Sequence, residues 1–179
     1  MTDVTIKTLP AQQLDEVTRK AIMEMCVAAH ENPEFYELFD YSAPDHVHVV
    51  AYRGDAVIGH AMVSTRWMQP EGYPILRSAY IDAVSVAPEE QGKGVGKAVM
   101  QQIAEVIQDY EIAGLETDKF GFYESVGWER WLGSLAGRGE NGLIPTPDQH
   151  GVMILRLSKT PPLNLNGLLT IEDQGARIW

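Results

Sequence analysis

The stretch from Tyr80 to Met100 restricts this chain most. It reads Tyr-Ile-Asp-Ala-Val-Ser-Val-Ala-Pro-Glu-Glu-Gln-Gly-Lys-Gly-Val-Gly-Lys-Ala-Val-Met. An apolar, strand-like run, Tyr80 to Val86, is halted at Ala87-Pro88. A glycine-spaced turn covers Gln91 to Gly96. A helix follows, with Val95, Val99, Ile103 and Val106 on one stripe. Strand, glycine turn and helix start together aim several backbone N–H groups at one point, where the helix dipole also favours negative charge. The stretch is therefore a candidate anion site, and a pyrophosphate is the anion that suits it best.

Spacing decides which glycine loop this is. A P-loop needs a glycine at the place of Gln91 and a hydroxyl residue at the place of Ala98, so it fails twice. A dinucleotide fingerprint built on Gly92 and Gly94 needs its third glycine where Lys97 stands. The pattern that fits is Gln91-x-x-Gly94-x-Gly96, directly after Val84-x-Val86-x-Pro88. It resembles the acetyl-CoA loop of the GNAT superfamily of N-acetyltransferases. The plain alternative is a glycine-rich turn from strand to helix with no ligand.

That resemblance implies acetyl-CoA as the cofactor and CoA as the product. Gln91, Gly92, Lys93, Gly94, Val95, Gly96 and Lys97 would then hold the pyrophosphate. Val84 and Val86 would pair with the pantetheine arm as a pseudo-strand, and an N–H near Val84 would polarise the thioester carbonyl. Lys93 and Lys97 serve equally well as solvated charges.

A length of 179 residues points to one domain with a sizeable core. The 45% hydrophobic and 22% charged shares are those of an ordinary soluble globular protein. A single cysteine, Cys26, excludes an intrachain disulfide, and it reads as a small core residue of the first helix. No cationic leader and no long apolar run is present, so the expected location is cytoplasmic, away from membranes. The net charge of −11 argues against nucleic acid and anionic membranes and suits a cationic partner, or serves solubility alone.

Along the chain, Val4 to Thr8 reads as a strand. Ala11 to His30 reads as a helix striped by Leu14, Val17, Ala21, Met25 and Ala28. Glu31 to Asp45 is a loop rich in acids and aromatic rings, with room for a short helix. His46 to Tyr52 and Ala56 to Trp67 form a hairpin about Arg53-Gly54-Asp55, and Ile75 to Val86 adds a third long strand. A helix to about Asp109, a strand over Glu111 to Glu116, a short helix over Phe120 to Ser125 and a strand over Trp128 to Trp131 follow. Leu132 to Gly151 is loop-rich in Gly and Pro, Val152 to Leu157 is the last clear strand, and an extended tail begins at Pro161. His46 and His48 lie two apart on one face with no third metal ligand in view, and His60 reads as a satisfied core residue.

This order gives an α+β single domain, residues 1–179, with a mixed, mostly antiparallel twisted sheet flanked by helices. It is the topology that the resemblance implies.

Asp82 is the sharpest single residue, because Asp is awkward in mid-strand. Standing just before the anion loop, it could take a proton from an amine, directly or through water. The resembling superfamily often has a carboxylate there, usually Glu. Tyr123 lies in Phe120-Gly-Phe-Tyr-Glu-Ser-Val-Gly-Trp128, which resembles the superfamily's second signature, where a tyrosine hydroxyl faces the cofactor sulfur. A phenol of pKa about 10 can protonate a departing thiolate of pKa about 8.5.

The tail, Leu165 to Trp179, resembles that of the aminoglycoside 2′-N-acetyltransferases, a branch of this superfamily. The match continues through Tyr80 to Val86, Phe122 to Trp128 and Thr146-Pro147-Asp148. The resemblance implies a cationic amine acceptor, a tail from 161 to 179 that contributes to the acceptor site, and an isologous dimer. Asp40, Asp82, Ala83, Thr117, Asp148 and Trp179 would contact the acceptor. One departure is Arg177, which stands where the branch has an acid and would repel a polycation. Two other readings stay open: an acetyltransferase for a different small amine, polyamine or peptide, and a catalytically idle CoA-binding module.

Overall fold

Two long strands run through the structure, β3 (Ala56–Pro70) and β4 (Leu76–Val86). The computed structural model describes residues 3–41, 43–175 and 178–179. The chain divides into two compact units, Met1–Ser64 with Ile81–Val106, and Thr65–Tyr80 with Ile107–Trp179. β3 and β4 each contribute one end to either unit.

In the first unit, β1 (Val4–Pro10) pairs antiparallel with β2 (Val47–Arg53), and β2 pairs antiparallel with β3. The β2–β3 turn depends on Gly54, whose φ of 62° suits a residue without a Cβ. Helix α1 (Glu16–His30) starts five residues later than its apolar pattern predicts. After Pro10 the chain makes a short 3-10 turn, Ala11–Gln13, and the Asp15 side chain then caps the helix by accepting the Thr18 N–H at 2.7 Å. The buried face is Ile22, Met25 and Cys26; of the expected stripe Leu14 and Met25 are buried, while Val17 is 79% exposed. Loop 31–45 holds a 3-10 turn, Pro33–Glu37.

Helix α2 (Val95–Val106) follows the glycine loop and buries Val95, Val99, Met100 and Ile103. Its start is seated on Gly59 of β3, where a Cβ would lie 2.9 Å from Val95 Cγ1. A side chain at Gly59 would lift the first turn of α2 and the loop with it.

In the second unit, β5 (Ile112–Glu116) runs parallel to β4, with Ser78 opposite Ile112 and Tyr80 opposite Gly114. β9 (Val152–Arg156) and the short β6 (Glu129–Arg130) extend that side. On the other side the order is β3, β10 (Leu169–Glu172), β7 (Leu135–Gly139) and β8 (Gly142–Pro145). β10 is antiparallel to β3 and parallel to β7. Helix α3 (Phe120–Glu124) connects β5 to β6. Met68, Tyr80, Ile112, Trp131, Ile154, Leu169, Ile171 and Trp179 share the core.

β7, β8 and β10 are strands where the sequence reads as loop and tail. Glycine weakens strand propensity, yet it permits close approach: a Cβ at Gly137 of β7 would sit 2.9 Å from Ile178 Cδ1. β10 is fixed by a buried cation. Arg66 is 4% exposed; its Nε meets Glu172 Oε1 at 2.7 Å, and its Nη2 donates to the carbonyls of Glu172 at 2.7 Å and Ile178 at 2.9 Å. The second Glu172 oxygen accepts the Trp67 N–H at 2.8 Å. Removing one partner of a buried pair strands the other. Arg66→Ala is therefore expected to lower the unfolding free energy by about 3–5 kcal/mol. The joint change Arg66→Met with Glu172→Gln should cost clearly less. Urea denaturation of both variants checks this ranking.

Candidate active site

The glycine loop is built from the end of β4. After Val86 comes a 3-10 turn, Pro88–Glu90, then Gln91, whose Nε2 donates back to the Val86 carbonyl at 3.2 Å. Gly92 and Gly94 have φ of 73° and 88°, and the space beyond each is open, with nothing within 4 Å of a Cβ built there. Only glycine takes these angles without strain, and the open side leaves the main chain approachable. The Gly94 carbonyl accepts from the Ala98 N–H at 3.0 Å, the first bond of the α2 ladder. The amides of Val95, Gly96 and Lys97 therefore lack intrahelical acceptors, and all point out of the helix start. This is a cradle that a diphosphate fits.

Its rim carries a carboxylate. Glu90 receives Arg53 Nε at 3.2 Å and Nη2 at 2.9 Å, with Lys93 Nζ at 3.7 Å. The hydrogen-bonded Arg53 guanidinium holds this carboxyl below the usual range, so the loop keeps a neutralised acid rather than a repelling one. Lys93 and Lys97 are exposed.

β4 itself is kinked. Ala83 has a φ of 50°, in the left-handed region, inside a strand. Such a conformation costs a non-glycine residue about 1–3 kcal/mol and persists only where its surroundings hold it. Here the Ala83 carbonyl accepts from His60 Nδ1 at 3.0 Å and from Ser85 Oγ at 3.2 Å. The Val84 carbonyl accepts from His30 Nε2 at 3.2 Å, and that N–H is shared with Ser85 Oγ at 2.9 Å. Among the described residues, the β4–β5 ladder covers Ser78, Ala79 and Tyr80 alone. Asp82, Ala83, Val84 and Val86, beyond it, are half-buried.

The first unit thus brings together Asp82, Ala83, Val84, Val86 and the whole run Gln91 to Lys97. Asp40 also belongs to this unit and is exposed. Burial pushes the His46 imidazole down, while the carboxylates of Asp45 and Asp82 oppose that shift. Tyr123, Thr117, Asp148 and Trp179 belong to the second unit. Tyr123 is buried in α3, its ring edge-on to Phe122 at 4.9 Å and to Trp128 at 6.1 Å. Thr117 Oγ1 accepts the Lys119 N–H at 2.9 Å, and Asp148 is exposed. Trp179 is 2% exposed within the core. Arg177 lies outside the described residues.

Cys26 is buried and desolvation pushes its thiol up to about 11, so it holds no thiolate at neutral pH. The imidazoles of His30, His48 and His60 were not among the expected site residues. In the sequence His60 reads as a satisfied core residue, and His30, at the end of α1, gives no signal of a site. His46 and His48 do not pair. His46 Nδ1 accepts the Ala43 N–H at 3.2 Å, while His48 Nδ1 lies 3.0 Å from His60 Nε2.

Burial holds His48 down to about 3, with the neighbouring His60 the next cause, and His60 down to about 4. Both rings are neutral when folded and have an ordinary value of 6.5 when unfolded. The unfolded chain therefore binds more protons below that value. Stability is full above pH 6.5 and drains as pH falls toward 4, at up to about 1.4 kcal/mol per pH unit for each ring. The Glu90 contribution is lost only below its ordinary 4.5. Denaturant midpoints measured from pH 7.5 to 4.5 should therefore hold to about pH 6.5 and then fall, and a flat profile over the whole range refutes the buried neutral pair.

A model of the acetyltransferase (GNAT) family matches residues 16–128. An aminoglycoside 2′-N-acetyltransferase of Mycolicibacterium fortuitum is 28% identical over 98% of this chain and 92% of its own length. The crystal structure of the GNAT family N-acetyltransferase YhbS from Escherichia coli, in complex with CoA, is similar with a TM-score of 0.68 at 15% identity. That likeness covers 95% of this chain and 90% of the other. The ribosomal-protein-S18-alanine N-acetyltransferase of Escherichia coli is similar with a TM-score of 0.58 at 17% identity, over 89% and 97% of the two chains. The family model spans more than half of the chain, so the chain belongs to the GNAT family and is an acetyl-CoA-dependent N-acetyltransferase.

Proposed function

We propose that this enzyme acetylates a cationic small-molecule amine, and that the acceptor is an aminoglycoside, modified on its 2′-amino group, by direct transfer in a ternary complex. The observation that carries the site assignment is the run from Asp82 to Lys97. An acid, a strained bend and a cradle of free amides follow one another on one continuous segment. The similarity to an aminoglycoside 2′-N-acetyltransferase over nearly the whole chain supports the acceptor class.

Bound acetyl-CoA supplies an activated acetyl thioester. Val95, Gly96 and Lys97 donate their amides to the diphosphate, with Gln91, Gly92, Lys93 and Gly94 shaping the loop. Val84 and Val86 offer main-chain groups to the pantetheine arm. Asp82 takes a proton from the acceptor ammonium through a water, which leaves a free amine to attack the thioester carbonyl. Being one methylene shorter than Glu, it reaches the amine by that relay. Tyr123 would deliver its hydroxyl proton to the departing CoA thiolate, giving the thiol product. Asp40, Ala83, Thr117, Asp148 and Trp179 orient the acceptor, with residues 161–179 contributing to its site. The protein acts as a homodimer in the cytoplasm, in a single acyltransferase domain. The positive charge of Arg177 disfavours a polycation, by ~1 kcal/mol for two unit charges at contact in water, so another small amine is the competing acceptor.

Three measurements test this reading. Tyr123→Phe should lower kcat by about 10²- to 10⁴-fold; unchanged turnover at every pH removes the acid assignment. Asp82→Ala should abolish the rise of the rate toward basic pH, and a profile of wild-type shape would refute the base. Thiol release from acetyl-CoA, followed with aminoglycosides, polyamines and a peptide amine in turn, should be fastest with an aminoglycoside. Preference for a polyamine or a peptide moves the acceptor while leaving the reaction in place. No release with any amine leaves an idle CoA-binding module.

A further inference from the structure

We propose that His60 and His48 form a buried positioning relay that sets the bend of β4 at Ala83. By doing so, the pair places Asp82 and the Val84 amide for acetyl transfer. The inference rests on the assignment of Asp82 to Val86 to the reacting centre. Neither imidazole touches reacting atoms, so both are positioning residues.

The direction of the relay follows from chemistry. A carbonyl oxygen accepts only, so the hydrogen bond of 3.0 Å to Ala83 puts the His60 proton on Nδ1. The His60 Nε2 is then a bare acceptor, and His48, 3.0 Å away, must donate from its own Nδ1. Both side chains are completely buried. The His48 ring is tilted against Phe39, with centroids 5.5 Å apart, and its Nε2 has no hydrogen-bond partner among the described residues. Cys26 Sγ lies 4.0 Å from His60 Nδ1 and closes the opposite side.

Two buried imidazoles are a costly way to fill a core that Leu or Met would fill more favourably. What they supply is one fixed N–H aimed at the carbonyl of Ala83, the one non-glycine strand residue in a left-handed conformation among the described residues. Ser85 and His30 bond the same bend from the other side. The bend is thus held by directional bonds from three side chains, and His60 is the one that a second buried ring orients. The bend sits between Asp82 and Val84, so loosening it moves both at once. Misplacement by about 1 Å can cost on the order of 10²-fold in rate.

The test compares His60→Leu, His60→Gln and the double variant His60→Leu with Ala83→Gly in the full chain. His60→Leu should lower kcat by roughly 10- to 100-fold with the KM for acetyl-CoA within about threefold, because the glycine loop is untouched. His60→Gln keeps an amide donor and should recover most of the loss. The Leu/Gly double variant should recover at least about fivefold over His60→Leu, since glycine adopts this φ without a bond to hold it. No recovery by either, or losses that merely follow thermal stability, overturns the relay. If His60→Leu fails to fold, ring nitrogen shifts of the wild-type protein decide: Nδ1–H on both rings is expected, and Nε2–H on His60 overturns the relay. Amide shifts of Ala83 to Val86 on titration with CoA separate the two readings. If CoA binds without moving them, the site assignment fails. If they move while His60→Leu turns over normally, the relay alone fails.

Discussion

One main-chain oxygen, that of Ala83, carries more of this structure than any side chain. A strand residue at φ 50° would relax to an extended conformation if its carbonyl were solvated. It does not, because that carbonyl is enclosed by His60 Nδ1 and Ser85 Oγ, and its successor is bonded by His30. These donors come from α1, β3 and β4, so three elements must pack before the bend is stable. The apolar core therefore supplies the energy, and the polar bonds select the conformation. This division is common at functional sites, where local strain is held by surroundings that over-determine it.

An acidic protein that binds a polyphosphate faces an electrostatic problem. With a net charge of −11, the long-range field opposes an anionic ligand. The structure answers with neutral donors placed at contact range. The amides at the start of α2 carry partial positive charge that acts within the first turn, where the field of distant carboxylates is already screened. Glu90 on the rim is tied to Arg53 and Lys93, so it does not face the loop as a free charge. The same net acidity leaves the rest of the surface attractive to a cation. A cationic acceptor, as proposed, would require the opposite electrostatics, and short-range amides beside a long-range negative field suit both.

The parts legible in the sequence were those where local chemistry and tertiary role agree. The loop was legible because a left-handed backbone favours glycine, as at Gly94, and because α2 announces itself by an apolar stripe. The element order up to β6 followed from the same agreement. Gly92 and Gly94 prove to have distinct duties from Gly96, which is helical. Helix α1 was placed too early, since Pro10 and the Asp15 cap outweigh an apolar pattern that runs on through Leu14. β7, β8 and β10 were not legible: Gly137, Gly139 and Gly142 read as breakers, and the pairing partners of β10 lie about a hundred residues and about thirty residues away in sequence. The histidine pair was invisible for a similar reason. His48 and His60 meet only through the β2–β3 register, and their target in β4 is brought in by a third strand.

The exposed carboxylates say something about how an acceptor is held. Asp40 and Asp148 are both solvent-facing, and an exposed ion pair contributes only about 0–1 kcal/mol. Neither could hold a single ammonium group tightly. In general, a ligand with several ammonium groups gains more from dispersed surface carboxylates, and that gain depends steeply on salt. A monoamine gains less and must rely on shape instead. Weak, distributed acidity of this kind favours polycations as a class while discriminating poorly among them, because no single carboxylate enforces one geometry. On the proposed assignment, regiochemistry would come from the bent strand carrying Asp82, where the placement of one acid relative to one amide, rather than the total charge, would decide which amine reacts.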